Sequence, residues 1–123
     1  MINTPIECVE DWRHLNNIDK GVDLLVEALE NDRKIGLLVD PDCDGITSSA
    51  QFYRYLTRYK PNVEITLLHH SGKQHGLSGD IIVGNDIELL VILDAGSNDV
   101  EQEEELASIG VDILIVDHHL IED

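Results

Sequence analysis

"IGLLVDPDCDGITSSA", residues 35–50, changes character halfway along. Its first five residues are apolar without a break, which predicts a buried strand over roughly 35–40. Asp40, Asp42 and Asp44 then fall at alternate positions, and Gly45 follows them. Beyond the glycine, Ile46, Ala50, Tyr53 and Leu56 recur every three or four residues, which predicts an amphipathic helix stopped by Pro61. A strand, an acidic turn and a helix in that order form the repeating unit of a parallel α/β sheet.

The same alternation continues on both sides. Residues 20–31 place Val22, Leu25, Val26 and Leu29 at helical spacing. "NVEITLLHH" (62–70), "ELLVILDAG" (88–96) and "VDILIVDHH" (111–119) each read as a strand. The glycine-rich stretch 71–80 reads as a loop. "SNDVEQEEELASIG" (97–110) reads as a helix, with Ser97 or Asn98 as N-cap and Gly110 just past its end. Each strand is apolar along its length, so the sheet is expected to be covered on both faces. The predicted fold is α/β, a three-layer sandwich around a mostly parallel, Rossmann-like sheet of about four to five strands. Trp12, Arg13 and His14 precede this unit, and the indole is expected to cover the core. Cys43 is expected in a core or turn position rather than on a metal.

Charge narrows the possible partners. Asp and Glu total 25 against 8 Lys and Arg, and 13 of the acids lie between Gln74 and Asp123, where there is no Lys or Arg. The basic stripe that usually tracks a phosphate backbone is missing, so charge alone gives no case for nucleic acid. Bound divalent cations or a basic partner domain would offset part of the excess. No apolar run is long enough to span a membrane, and the N-terminus lacks a secretory pattern. Two cysteines make a poor disulfide framework, so a cytoplasmic location is expected.

Three of the four strands end in aspartate, at Asp40, Asp94 and Asp117, and the second ends in His69-His70. In an open parallel sheet, ligands bind at the carboxyl ends of the strands. Asp40, Asp42, Asp44, Asp94, Asp117, His118 and His119 are therefore expected to share one edge. Bare, they would repel; carboxylate oxygen mixed with imidazole suits Mn²⁺ or Mg²⁺, with Zn²⁺ or Fe²⁺ as alternatives. A calcium loop fits Asp40, Asp42, Asp44 and Gly45 but fails at Gln51, where a bidentate Glu belongs, and it needs a preceding helix. A haloacid-dehalogenase arrangement needs a downstream Lys, and none follows Lys73.

"DPDCDGITS", "LDAGSND" and "VDHH", in this order, resemble the DHH phosphoesterase superfamily, and within it the RecJ-like single-stranded-DNA exonucleases. The resemblance implies a two-metal hydrolase, usually Mn²⁺-dependent. On the matching positions it implies Asp40, Asp42, Asp44, Asp94 and His118 as metal ligands, with Asp94 bridging. It sets His119 near the phosphate and gives Asp117 a place in the catalytic group, either as ligand or orienting an imidazole. Lys73 and His75 match a substrate-binding motif loosely, because the family's Arg and Gly-Tyr-Gly are absent from "SGKQHGLSG". The implied substrate is single-stranded DNA, cut 5′→3′. Short oligonucleotides, cyclic dinucleotides or pyrophosphate are the alternative, although the small-substrate branches tend to carry a His where Leu38 stands. The chain stops four residues past His119, so the reading is residues 1–19 as a leading segment and 20–123 as the front of a DHH domain. The family's C-terminal substrate-binding domain is then absent, and a separate domain or a homo-oligomer could complete the site. An inactive fragment with a regulatory or assembly role is the third reading.

Overall fold

A computed structural model describes residues 11–69, 77 and 86–121. A 3-10 turn at Trp12–His14 leads into helix α1 (Ile18–Glu30). Strand β1 (Ile35–Val39), helix α2 (Cys43–Tyr59) and strand β2 (Ile65–His69) follow. Strand β3 (Leu89–Leu93), helix α3 (Val100–Ser108) and strand β4 (Asp112–Val116) complete the unit. The four strands form one parallel sheet in the order β2-β1-β3-β4. This is the expected α/β architecture.

Period-2 alternation sorts the strand residues into two layers. Ile35, Leu37, Leu89, Val91 and Leu93 pack with Ala28 and Leu29 of α1 and Leu56 of α2. Leu38, Leu90 and Ile92 face the other way, against Leu106 of α3, Leu77 and Ile87. Among the described residues, only the central strands are covered on both sides. β1 is buried from Ile35 to Leu38 and β3 along its whole length, whereas most of β2 and β4 is partly exposed. The uniform apolarity of the four strands therefore overstated the burial of the two edges.

Helix faces also differ from expectation. On α1, Ala28 and Leu29 are buried, while Val22 and Val26 lie exposed. On α2 the buried residues are Gly45, Ser49 and Leu56, with Phe52 partly buried, and Ile46, Ala50 and Tyr53 point outward. The reason is distance. A Cβ on Gly45 would lie 2.6 Å from the Cβ of Asp40, so only a small residue fits where α2 meets β1. A pattern built on large apolar residues chooses the neighbouring stripe instead.

The helix also starts earlier, at Cys43, because Asp42 caps it: Gly45 N donates to Asp42 Oδ1 at 2.8 Å. Cys43 is consequently exposed in the first helical turn. The N-cap of α3 is Asp99, not Ser97 or Asn98, while Gly110 takes the expected place past its end with φ +87°. Trp12 is 59% exposed and covers no core; the guanidinium of Arg13 lies 5.0 Å from its ring centroid.

Ser49 buries its hydroxyl without a hydrogen-bond partner among the described residues. A buried, unsatisfied hydroxyl costs about 1–3 kcal/mol. Ser49→Ala is expected to raise stability by about 1 kcal/mol, read as a higher urea midpoint. A fall of similar size would show that the hydroxyl has a partner.

Candidate metal centre

β1 and β3 are neighbours, but the chain leaves β1 towards β2 on one side and β3 towards β4 on the other. Strand order reverses between them, which is where open α/β sheets bind ligands. Asp40 directly follows β1, Asp94 follows β3 and Asp117 follows β4. A cleft of about 310 Å³ opens at this edge. Asp40, Asp42, Asp94, Asp99, Asp117 and His119 line it with residues 95–98, and among the described residues no Lys or Arg does.

Each carboxylate is held differently. Asp40 is 3% exposed beneath the first turn of α2. Asp42 caps that helix and faces the cleft. Asp94 has left-handed backbone, φ +66°, with its amide donating to Val116 O at 2.8 Å. Its Oδ1 lies 2.9 Å from His118 Nε2. A non-glycine residue held there is strained, and such strain gathers at functional sites. Asp94, His118 and His119 each offer a ligand atom within 4.8 Å of the other two, a spacing that could hold a metal ion.

Asp117 acts from behind. Its side chain is 2% exposed and accepts from Ser97 N (3.2 Å), His118 N (2.7 Å) and His119 N (3.2 Å). Its Oδ1 also lies 2.6 Å from His119 Nδ1. With Nδ1 engaged, Nε2 is the ring nitrogen left for a ligand.

Residues 34–123 match the profile of the DHH family, N-terminal domain. The chain belongs to the DHH family. It is 38% identical over 118 residues to a Bacillus subtilis (strain 168) protein named as the SPbeta prophage-derived single-strand DNA-specific exonuclease YorK. That alignment covers 96% of this chain and 20% of the relative. It is 26% identical over 113 residues to the single-stranded-DNA-specific exonuclease RecJ of Escherichia coli (strain K12), covering 89% of this chain and 20% of that one. With RecJ of Haemophilus influenzae the identity is 30% over 110 residues, covering 86% and 19%. The chain thus spans about a fifth of the length of these relatives. No solved structure matches it significantly.

Within residues 117–119, His118 reaches Asp94 without lining the cleft, while Asp117 and His119 pair with each other and line it. Asp44, by contrast, is exposed in the first turn of α2 and does not line the cleft. Two-residue alternation ends at the helix start, and each residue of α2 turns about 100° from the last. Lys73 and His75 lie outside the described residues. Sequence reasoning missed Asp99, which lines the cleft and accepts from Leu77 N at 2.6 Å. A contact across 22 residues leaves no local signal. Ser97 N, a donor to Asp117, was read only as a possible cap.

Electrostatics couple Asp117 to His119. Burial pushes the Asp117 carboxyl up, but hydrogen bonds from His119 and Ser97 outweigh it and hold the group well below the usual carboxylate range. The His119 imidazole is raised above 6.5 by its hydrogen bond to Asp117, by that residue's charge, and then by Asp94 and Asp40. A depressed carboxylate stabilises the fold above its unfolded value of 3.8, and that contribution fades as pH falls through the folded value. A raised imidazole stabilises fully below 6.5, and the contribution is lost as pH rises through its folded value. In EDTA, the melting-temperature gap between wild type and Asp117→Asn is therefore expected to be widest between pH 4 and 6.5 and to narrow on either side. A gap that does not change with pH would rule out this coupling.

Proposed function

We propose that this cleft binds divalent cations, Mn²⁺ or Mg²⁺, and hydrolyses phosphodiester bonds in single-stranded DNA from the 5′ end. The observation that carries the reading is the lining: five aspartates and a histidine, with no Lys or Arg among the described residues to balance them. Five carboxylates on one small cleft repel unless cations neutralise them. Oxygen donors with imidazole fit the harder divalent ions. Asp94 and His118 would hold the metal, with Asp40 and Asp42 completing the wall; two ions are expected in a full site. Asp44 is the weakest ligand candidate, because it neither lines the cleft nor joins the Asp94, His118 and His119 cluster. Bound metal would supply charge neutralisation and activation of water.

The chain's own residues do the rest. Asp117 holds Nδ1 of His119 and so fixes which nitrogen meets the substrate. A protonated His119 can donate from Nε2 to a phosphate oxygen or to the leaving oxygen. The α2 N-terminus adds a favourable dipole for an anion beside Asp42. The names of YorK and RecJ support single-stranded DNA as the substrate.

The test is Mn²⁺-dependent release of label from a 5′-labelled single-stranded oligonucleotide, compared with Asp94→Ala. Activity lost in the variant supports the proposal. Cleavage of dinucleotides or pyrophosphate but not of oligonucleotides would replace it with the small-substrate reading. Mn²⁺ binding without hydrolysis of any nucleotide would point to a fragment with an assembly or regulatory role.

A further inference from the structure

Helix α2 starts at the cleft and runs about 25 Å from it, at 1.5 Å per residue. Its far half carries all three tyrosines of the chain, Tyr53, Tyr55 and Tyr59, interleaved with Arg54 and Arg58. Tyr55 and Tyr59 are each 67% exposed, and their rings stack at 6.4 Å with planes 10° apart. The helix meets the sheet through Gly45, Ser49 and Leu56, so Tyr55 and Tyr59 are not needed for the core.

Charge sets this face apart from the rest of the molecule. Residues 45–63 contain no Asp or Glu, the longest such run in a chain with 25 acids. Among the described residues, Arg13 pairs with Asp11, and Arg33 with Glu27 and Asp112. Lys60 is held by Asp32. Arg54 and Arg58 have no ion pair among the described residues, although the chain has acids in threefold excess. Both are exposed, one helical turn apart, with the stacked tyrosines at the adjoining positions.

We propose that the tyrosine–arginine face of α2 is a docking surface for single-stranded nucleic acid, leading to the cleft. The proposal rests on the phosphodiesterase reading for its direction, because that reading puts the reacting end of the strand at the start of the same helix. Exposed aromatic rings stack on bases of any sequence, and guanidinium groups meet phosphates. A protein partner could also use tyrosine and arginine. What favours a polyanion is the pair of unneutralised arginines on an acid-free run of the helix that starts at the cleft.

The experiment is a titration of fluorescein-labelled dT20 with the full chain in EDTA, read by fluorescence anisotropy at several salt concentrations. Tyr55→Ala/Tyr59→Ala is expected to weaken binding at least tenfold with the salt slope unchanged. Arg54→Gln/Arg58→Gln is expected to flatten the slope of log K against log salt by about 1.4, two phosphates at ~0.7 each. Melting curves check that both variants stay folded. The proposal is overturned if wild type does not bind dT20, or if both double variants bind as tightly as wild type. It is also overturned if the tyrosine variant loses self-association and keeps oligonucleotide binding, which would make a second copy the occupant. Binding that depends on this face without Mn²⁺-dependent hydrolysis would leave the surface standing and remove the phosphodiesterase reading. Hydrolysis that ignores the face would do the reverse.

Discussion

Gly45→Ala is expected to destabilise the chain by about 3 kcal/mol, against the ordinary preference for alanine in a helix. An exposed helical glycine gains roughly 1 kcal/mol on becoming alanine. Here the new methyl would lie 2.6 Å from Asp40 Cβ and 2.7 Å from its carbonyl oxygen. Neither atom is the end of a flexible side chain, so α2 must move away from β1. The overpacking term outweighs the propensity term. Asp42 would move with the helix it caps, and the wall formed by Asp40 and Asp42 would open. Urea unfolding reads the stability. A Gly45→Ala variant as stable as wild type would mean that α2 does not pack against Asp40 as described.

Asp94→Gly is expected to separate structure from function. The backbone at Asp94 is left-handed, where a side chain is strained and glycine is not. Removing the side chain should leave stability unchanged or raise it by about 0.5–1 kcal/mol in EDTA. The same change deletes the carboxylate that faces His118 Nε2 and lines the cleft. Metal affinity and metal-dependent hydrolysis should fall at least a hundredfold, since even changes behind the ligands typically cost 10–100-fold. If Asp94 served only as a structural turn, glycine would serve there equally well, and stability and metal response would both persist.

The sheet was legible because its strands are short apolar runs that each stop at a charged or imidazole residue. Strand-end chemistry led to Asp40, Asp94 and Asp117, and the sheet order does bring those strand ends to one edge. Three features were not legible, each for a physical reason. The inner face of α2 is built from Gly45 and Ser49, small residues chosen for close approach, so the apolar period pointed to Ile46 and Ala50 instead. Asp44 continues the alternation of Asp40 and Asp42 on paper, but the helix has already begun there, and the side chain leaves the cleft. Asp99 lines the cleft from the turn after β3, and its carboxylate accepts from Leu77 N, a contact between distant segments that no local pattern encodes.

The tripeptide at 117–119 shows how much a motif can leave unsaid. Its order suggested three residues of similar standing. Among the described residues they divide their work: His118 reaches Asp94, while Asp117 is buried and orients His119. That division explains why the Asp117→Asn effect is expected to vary with pH.

The central claim, that divalent metal occupies the aspartate-lined cleft, is tested most directly by Mn²⁺ titration of the unfolding transition. Ligand at 100 times its dissociation constant stabilises a folded protein by about 2.7 kcal/mol. At that Mn²⁺ concentration wild type is predicted to show a rise of that order, and Asp94→Gly no more than about 0.4 kcal/mol. An Mn²⁺ response absent from wild type, or equal in both proteins, would contradict the account.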